Sequence, residues 1–445
     1  MKKFLFIFIF NIFLFADILN QNNLNVLRAL DINEGFLYYK PLKEKYDEYY
    51  YRKKRYFINI LENGYDILPI IRKSILKSNI PSPLISVAMA ESYFTLNAKS
   101  HKKATGLWQF MPSTAKKFGL KIDEYVDERR DPIKSTKAAI EYLKYLHKFF
   151  GKWYLAVMAY NAGEARVVEA VVRAKVDKLC EKLGKKCKKD KRIKEYRKII
   201  RDYQREGRKK FLPLYKLYKK LDYIQIDLED LLRFQKGLKR QYLPKETRDY
   251  ILKVLALSFL FSNDEFLKYS NSYILNSGVT PEFVRVNVSP GTSLYYVARF
   301  LNINYKNLRK KNMQLKYSFT PPYKYYIYIP YKKLAFFKTH FKSKGRFLYV
   351  YKVKKGDTLL KIAKMYGIKV KMIKDYNKLG KYLRVNQKLI IPLNERFVKY
   401  KVKPGDTLNK IALKFGVSYK KIKRINRLKS NIIRVGEVIK IPQKL

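Results

Sequence analysis

The C-terminal part of the chain carries the same segment twice, and this repeat constrains the architecture more than any other feature. VYKVKKGDTLLKIAKMYGIKVKMIKDYNKL, from Val350, recurs as VKYKVKPGDTLNKIALKFGVSYKKIKRINRL, from Val398. A repeat of this length is one small supersecondary unit used more than once. Each copy opens with an alternating strand, turns at Gly-Asp, and starts a helix at Asp or Thr. Gly356, Asp357 and Thr358 align with Gly405, Asp406 and Thr407. Leu359, Ile362 and Ala363 share a helical face, as do Leu408, Ile411 and Ala412. A second short helix and a closing strand follow, LIIP in the first copy and VIKIP in the second. The unit is therefore read as strand-helix-helix-strand. A degenerate third copy is expected at 284–330, where SPGTSLYYVARFL precedes YYIYIP and the Asp of the turn is missing.

Upstream of the repeats the pattern is helical. The chain has 445 residues, 47% of them hydrophobic, so about two to four domains are expected and most of the chain should fold. The net charge of +60 predicts attraction to an anionic partner, such as nucleic acid, acidic lipid or wall carboxylates, without choosing among them. Much of it reflects a general abundance of lysine. MKKFLFIFIFNIFLFA reads as a signal peptide over 1–16, its apolar run being short for a membrane span. An uncleaved anchor is the alternative. No Cys lies near the cleavage point, so a lipid-modified terminus is not expected. On one continuous helix Cys180 and Cys187 would stand roughly 10 Å apart, too far for a disulfide. A bridge needs a turn, which Gly184 could supply, and the reading leaves a bridge and two free thiols equally open. His101, His147 and His340 are widely spaced and lack Cys partners, so neither zinc nor any cofactor is expected.

Residues 17–75 are read as an N-terminal helical segment. Ser82 is expected to cap a helix with Pro83 in its first turn, and Asp131-Pro132 to open another that Gly151 closes. In LISVAMAESYF, Leu84, Ala88 and Glu91 fall on one helix face. A glutamate there is either solvated at a helix end or held in a partly apolar pocket. The pocket would raise its pKa and make it a proton donor near neutral pH.

ESYF at 91–94, GLWQFMPSTAKKFG at 106–119, AVMAYNAGEARV at 156–167 and LPKETRDYI at 243–251 occur in that order, with VDERRDPIKSTKAAIEYL between the second and third. Together they resemble the lytic transglycosylase domain of the soluble-transglycosylase family, and the C-terminal units resemble LysM domains. The resemblance implies a multidomain chain: a mostly α, lysozyme-like catalytic domain over 76–255, followed by small α+β (βααβ) modules; residues of about 174–240, dense in Lys, Arg and Tyr, are read as a basic insertion longer than the resemblance suggests. These modules comprise a linker with a degenerate copy over 256–345, then LysM units at 348–393 and 398–443. It implies cleavage of the β-1,4 bond of peptidoglycan by Glu91. Ser100 would lie near the substrate N-acetyl group, and Gln109 and Met111 would line subsites. Tyr160 would sit close to the glutamate, with Tyr250 a second aromatic of the cleft. Asn161 of AYNAG is a further substrate-binding candidate, although with Gly163 it is better suited to shaping the helix end. In the LysM units, binding of N-acetylglucosamine glycans would fall to Gly356, Asp357, Thr358 and Asn377, and to Gly405, Asp406, Thr407 and Asn426.

The resemblance also implies that one glutamate performs both proton transfers. Most glycosidases need two carboxylates. An intramolecular hydroxyl, by contrast, has so high an effective concentration that no water-activating base is required. A lysozyme-type hydrolase using the same glutamate and a non-catalytic wall-binding protein are the rival readings. An exported monomer at the cell envelope is expected, with peptidoglycan as partner, peripheral membrane association open, and no nucleic acid.

Overall fold

The computed structural model describes residues 17–235, 237–238, 240–268, 282–342, 347–366, 368–377, 379, 382–393, 397–426, 428 and 430–442. The expected signal peptide lies outside them. Two compact units emerge: residues up to 120 with 129–281, and 121–128 with 282–445.

The first unit is helical. Its elements are α1 (Gln21–Ala29), α2 (Lys40–Asp47), α3 (Lys54–Gly64), α4 (Leu68–Lys77), α5 (Ile85–Ser92), α6 (Pro112–Lys117), α7 (Pro132–Phe150), α8 (Trp153–Ala162), α9 (Glu164–Leu183), α10 (Lys191–Glu206), α11 (Phe211–Lys220), α12 (Leu228–Leu232) and α13 (Lys245–Phe261). The core helix α13 buries Ile251, Val254, Leu255 and Leu257 and packs against α1, α2, α5 and α8. The N-terminal segment thus shares the core of the catalytic segments. Two expected boundaries fall inside helices: α4 crosses 75/76, and α13 runs past 255 to Phe261.

Helix ends follow local chemistry. Asp131 caps α7 by accepting from Ile133 N and Lys134 N, and Gly151 ends the helix in the left-handed region. Ser82 does not cap a helix as expected. It opens a 3₁₀ turn, Ser82–Leu84, whose flanking residue is Pro81, and α5 begins only at Ile85. With Pro81 and Pro83 on either side, the first turn tightens before the α-helix starts.

The basic insertion forms α9 to α12. Glu169, fully buried on α9, holds it together by pairing with Arg166 (2.6 Å), Arg240 (2.7 Å) and Gln204 (2.8 Å). Gly184 ends α9 with φ 53°, and the turn brings Cys180 and Cys187 to a Cα–Cα distance of 5.0 Å in a disulfide. The alternative left open by sequence is decided by that turn.

The second unit holds three strand-helix-helix-strand modules. The first is β1 (Phe283–Val288), α14 (Leu294–Phe300), α15 (Tyr305–Lys311) and β2 (Tyr325–Pro330). The second is β3 (Phe347–Lys352), α16 (Leu359–Tyr366), α17 (Val370–Tyr376) and β4 (Lys388–Leu393). The third is β5 (Phe397–Lys401), α18 (Leu408–Phe415), α19 (Tyr419–Ile425) and β6 (Val438–Pro442). In each, the two strands pair antiparallel, with Val286 opposite Ile327, Val350 opposite Ile390, and Tyr400 opposite Ile439.

The modules are not beads on a string. The second and third share one apolar core in which Ile362, Tyr366 and Ile391 join Ile411, Phe415 and Ile441, and the Tyr366 and Phe415 rings meet edge to face at 5.9 Å. Tyr376 of the second module stacks on Phe319 of the first and donates to the Gly291 carbonyl. Residues 121–128 add to the first module: Lys316 N donates to Tyr125 O (2.8 Å), Asp127 N to Gln314 O (2.8 Å) and the Tyr325 hydroxyl to Glu128 (2.9 Å).

Candidate active site

Helix α5 is apolar on nearly every side and buries Ile85, Val87, Ala88 and Met89, so it lies inside the domain. It terminates abruptly: Tyr93 and Phe94 are both left-handed, with φ of 51° and 57°. Two consecutive non-glycine residues in that region cost roughly 1–2 kcal/mol each. Burial of the Phe94 ring and the Tyr93 N to Met89 O bond (3.0 Å) offset that cost. The abrupt end leaves Glu91 half-buried in the last turn.

The Glu91 carboxyl receives a hydrogen bond from the Tyr250 hydroxyl at 2.8 Å, across from α13. Burial pushes the Glu91 pKa up to about 7, against the opposing pull of the Tyr250 bond and the positive charge of Lys253, while Glu246 adds to the rise. Burial and the Glu91 charge hold the Tyr250 hydroxyl well above its ordinary pKa, so it remains a donor. Of the two readings open for Glu91 in the sequence, the partly apolar pocket is the one the fold builds.

The GLWQ loop forms a second wall. Ser92 Oγ donates to Leu107 O (2.7 Å), tying the loop to α5. Trp108 is fully buried, and its Nε1 donates to Thr136 Oγ1 on α7 (3.0 Å). The Tyr160 hydroxyl on α8 donates to Trp108 O (2.7 Å), so this tyrosine braces the loop rather than bonding the glutamate, although burial and, after it, the Glu91 charge raise its pKa. Gln109 sits at φ 44° with its Nε2 bonded to Gly106 O (2.8 Å), and Met111 is 42% exposed at the start of α6. Ser100 accepts from Ala104 N (3.0 Å) in the turn between α5 and α6. Asn161 Oδ1 accepts from Thr247 Oγ1 (3.0 Å), which ties the end of α8 to the start of α13. It shapes the helix end, as its place beside Gly163 suggested. Sequence reasoning passed over Ser92, Thr247 and Lys253. Lys253 alone had a signal, one helical turn after Tyr250.

In the repeats, Asp357 Oδ2 accepts from Lys354 N and the Tyr351 hydroxyl (both 2.7 Å), and Asp406 Oδ2 from Lys403 N (2.9 Å) and the Tyr400 hydroxyl (2.7 Å). Thr358 and Thr407 cap α16 and α18 by accepting from Lys361 N and Lys410 N, each at 3.1 Å. Asn377 bonds both ways with Ile390 of β4, and Asn426 both ways with Lys440 of β6. Asn312 does the same with Tyr328 in the first module, an equivalence the degenerate sequence hid. These side chains build the modules.

Among the described residues no cluster of His, Cys, Asp and Glu suits a metal, and no helix is long and apolar enough to cross a membrane.

A helical unit with a lone high-pKa glutamate at a helix end, followed by small βααβ modules, can now be set beside known proteins. Residues 69–178 match the Transglycosylase SLT domain family, 351–392 and 400–442 match the LysM domain, and 282–343 match the LysM-like domain of lytic transglycosylase MltD. The chain is 28% identical over 363 residues to membrane-bound lytic murein transglycosylase D of Escherichia coli K12, covering 77% of this chain and 67% of that protein. A putative tributyltin chloride resistance protein of Alteromonas sp. M-1 is 46% identical over 100 residues, 22% of this chain and 48% of that one. Among solved structures, the spore cortex-lytic enzyme SleL of Bacillus cereus matches 22% of this chain and 23% of its own at 28% identity, with a TM-score of 0.14. The chain thus carries a transglycosylase SLT domain followed by a LysM-like domain and two LysM repeats, and it is similar to lytic murein transglycosylases.

Proposed function

We propose that this enzyme cleaves the β-1,4 bond between N-acetylmuramic acid and N-acetylglucosamine in peptidoglycan, without consuming water, and leaves 1,6-anhydro-muramic ends. The observation that carries this reading is Glu91, raised to about 7 and held by Tyr250. A carboxyl with that pKa is protonated often enough at neutral pH to donate and basic enough afterwards to accept. As acid, Glu91 protonates the glycosidic oxygen while the C1–O bond breaks, with the 2-acetamido group stabilising the anomeric carbon. As base, its carboxylate takes the proton of the same sugar's C6 hydroxyl while the O6–C1 bond forms. Gln109, Met111, Ser100, Tyr160 and Asn161 line or brace the cleft, and the repeats hold the glycan. The disulfide fits an exported protein in an oxidising compartment, and the +60 charge suits peripheral attraction to anionic wall or membrane.

Mass spectrometry of digested sacculi tests the product. The expected fragments end in anhydro sugars, one water lighter than a hydrolase would leave and resistant to borohydride. A second reading rests on Glu246, the carboxylate whose charge acts on Glu91 from the first turn of α13. Predominantly reducible ends would favour a hydrolase with Glu246 as the water-activating base.

Because the second and third modules share one core, they are removed together. Deletion of 346–445 is expected to reduce pelleting with insoluble peptidoglycan at physiological salt while soluble fragments are still cleaved. Unchanged pelleting at that salt would rule out a role for the repeats in holding the wall. At low ionic strength so basic a chain adheres regardless.

A further inference from the structure

Lys253 stands three residues after Tyr250 on α13, so both side chains face α5. Its ammonium donates to the Ala90 carbonyl at 2.7 Å and to the Tyr93 hydroxyl at 3.0 Å, and lies 4.4 Å from the centre of the Tyr93 ring. Ala90 is the residue before the glutamate. Its carbonyl belongs to the last turn of α5, where carbonyls lack helical partners. Tyr93 is the first of the two left-handed residues that end the helix. One lysine therefore grips the helix on both sides of Glu91. Burial lowers the Lys253 pKa while the Glu91 charge raises it, and the positive charge in turn favours the Glu91 carboxylate.

We propose that Lys253 is a positioning residue for Glu91: it locks the end of the catalytic helix and supplies the positive charge that steadies the carboxylate left when Glu91 gives up its proton. Tyr250 supplies one hydrogen bond to that carboxylate, and burial disfavours its charged form, so an anion formed there without a counter-charge would be costly. Lys253 acts through Glu91 and its helix, not through the sugar. The charged and titratable groups around the pair are Tyr250 and Glu246 on α13, Tyr160 on α8, Tyr56 on α3, Lys53 just before α3, and Lys45 on α2. Of these, Glu246 opposes Lys253 at the glutamate, and Lys45 and Lys53 press the ammonium toward neutrality.

The inference rests on Glu91 being the proton donor, and the test separates the two. In the free enzyme Glu91 must be protonated, so kcat/KM falls as pH rises through about 7. Lys253 holds that limb down by favouring the carboxylate. In Lys253→Met the limb is expected to move up by about half to one pH unit. The maximal kcat should fall about tenfold, the equivalent of one pKa unit of lost anion stabilisation, with KM unchanged. Lys253→Arg, which keeps the charge and can still donate, should return both the limb and kcat toward the parent values. If the Met variant does not fold, Lys253→Gln carries the same measurement. A limb that stays in place when the charge is removed, or that moves equally in the Arg variant, overturns the proposal. Glu91→Gln is assayed in parallel: substantial activity there would defeat the proton-donor reading itself, whereas an inactive Gln variant beside an unmoved Lys253→Met limb defeats only the role of Lys253.

Discussion

Replacing Glu91 by Gln is expected to lower cleavage of purified sacculi by about three orders of magnitude, in the range general acid catalysis supplies. Gln is nearly isosteric and can still accept from the Tyr250 hydroxyl, the bond that in the parent protein measures 2.8 Å. It cannot give or take the proton. Removing the carboxyl also removes a half-buried ionisable group whose charged form the pocket disfavours. The variant should therefore melt no lower than the parent and should pellet with peptidoglycan as before. Retention of more than a few per cent of activity would transfer the chemistry elsewhere, with Glu246 the first group to examine. Replacing Tyr250 by Phe would not substitute for this test, because it leaves the Glu91 carboxyl in place.

Gly106→Ala is expected to produce the largest loss of stability. Gly106 opens the GLWQ loop with φ 87°, a conformation in which an L side chain is strained. A Cβ placed there would lie 1.9 Å from the Arg129 carbonyl oxygen, a backbone atom that cannot rotate aside. Its neighbourhood is pinned from several directions: Gly106 N donates to Ala98 O (2.8 Å), Gln109 returns a bond to Gly106 O, and Arg129 holds Lys103 O (2.9 Å) and Phe110 O (3.1 Å). Overpacking against fixed backbone typically costs about 3 kcal/mol or more when strain at φ is added. The melting temperature of this unit should fall by roughly 10 °C, and activity should be lost with the wall that carries Trp108 and Gln109. A calorimetric scan showing a change within about 2 °C would mean that the loop can move aside.

Much of this was legible in local pattern, because local chemistry decides it. The duplicated Gly-Asp-Thr segments determine two βααβ units, since an alternating strand, a turn and a capped amphipathic helix each need only neighbouring residues. Asp131 and Gly151 bounded α7 for the same reason. The apolar run before ESYF placed Glu91 near the end of a buried helix, and the order of the four motifs indicated which segments would converge on it. Other features depended on partners far away in the chain. Whether Glu91 is a solvated residue or a poised acid turns on Tyr250 and Lys253, more than 150 residues later, and on how deeply the helix is packed. Tyr160 feels the Glu91 charge, yet its hydroxyl donates to Trp108 O, a partner that spacing along the chain did not reveal. Asn377 and Asn426 bond the backbone of Ile390 in β4 and Lys440 in β6, partners that lie 13 and 14 residues further along the chain. The two thiols were undecided until the turn at Gly184 brought their backbones to 5.0 Å. Sequence by itself thus determined the repeated modules, the order of the motifs and the candidate acid. Only the tertiary structure decided the surroundings of that glutamate and the hydrogen-bond partners of the other candidate residues, since both depend on burial and on partners that spacing along the chain does not encode.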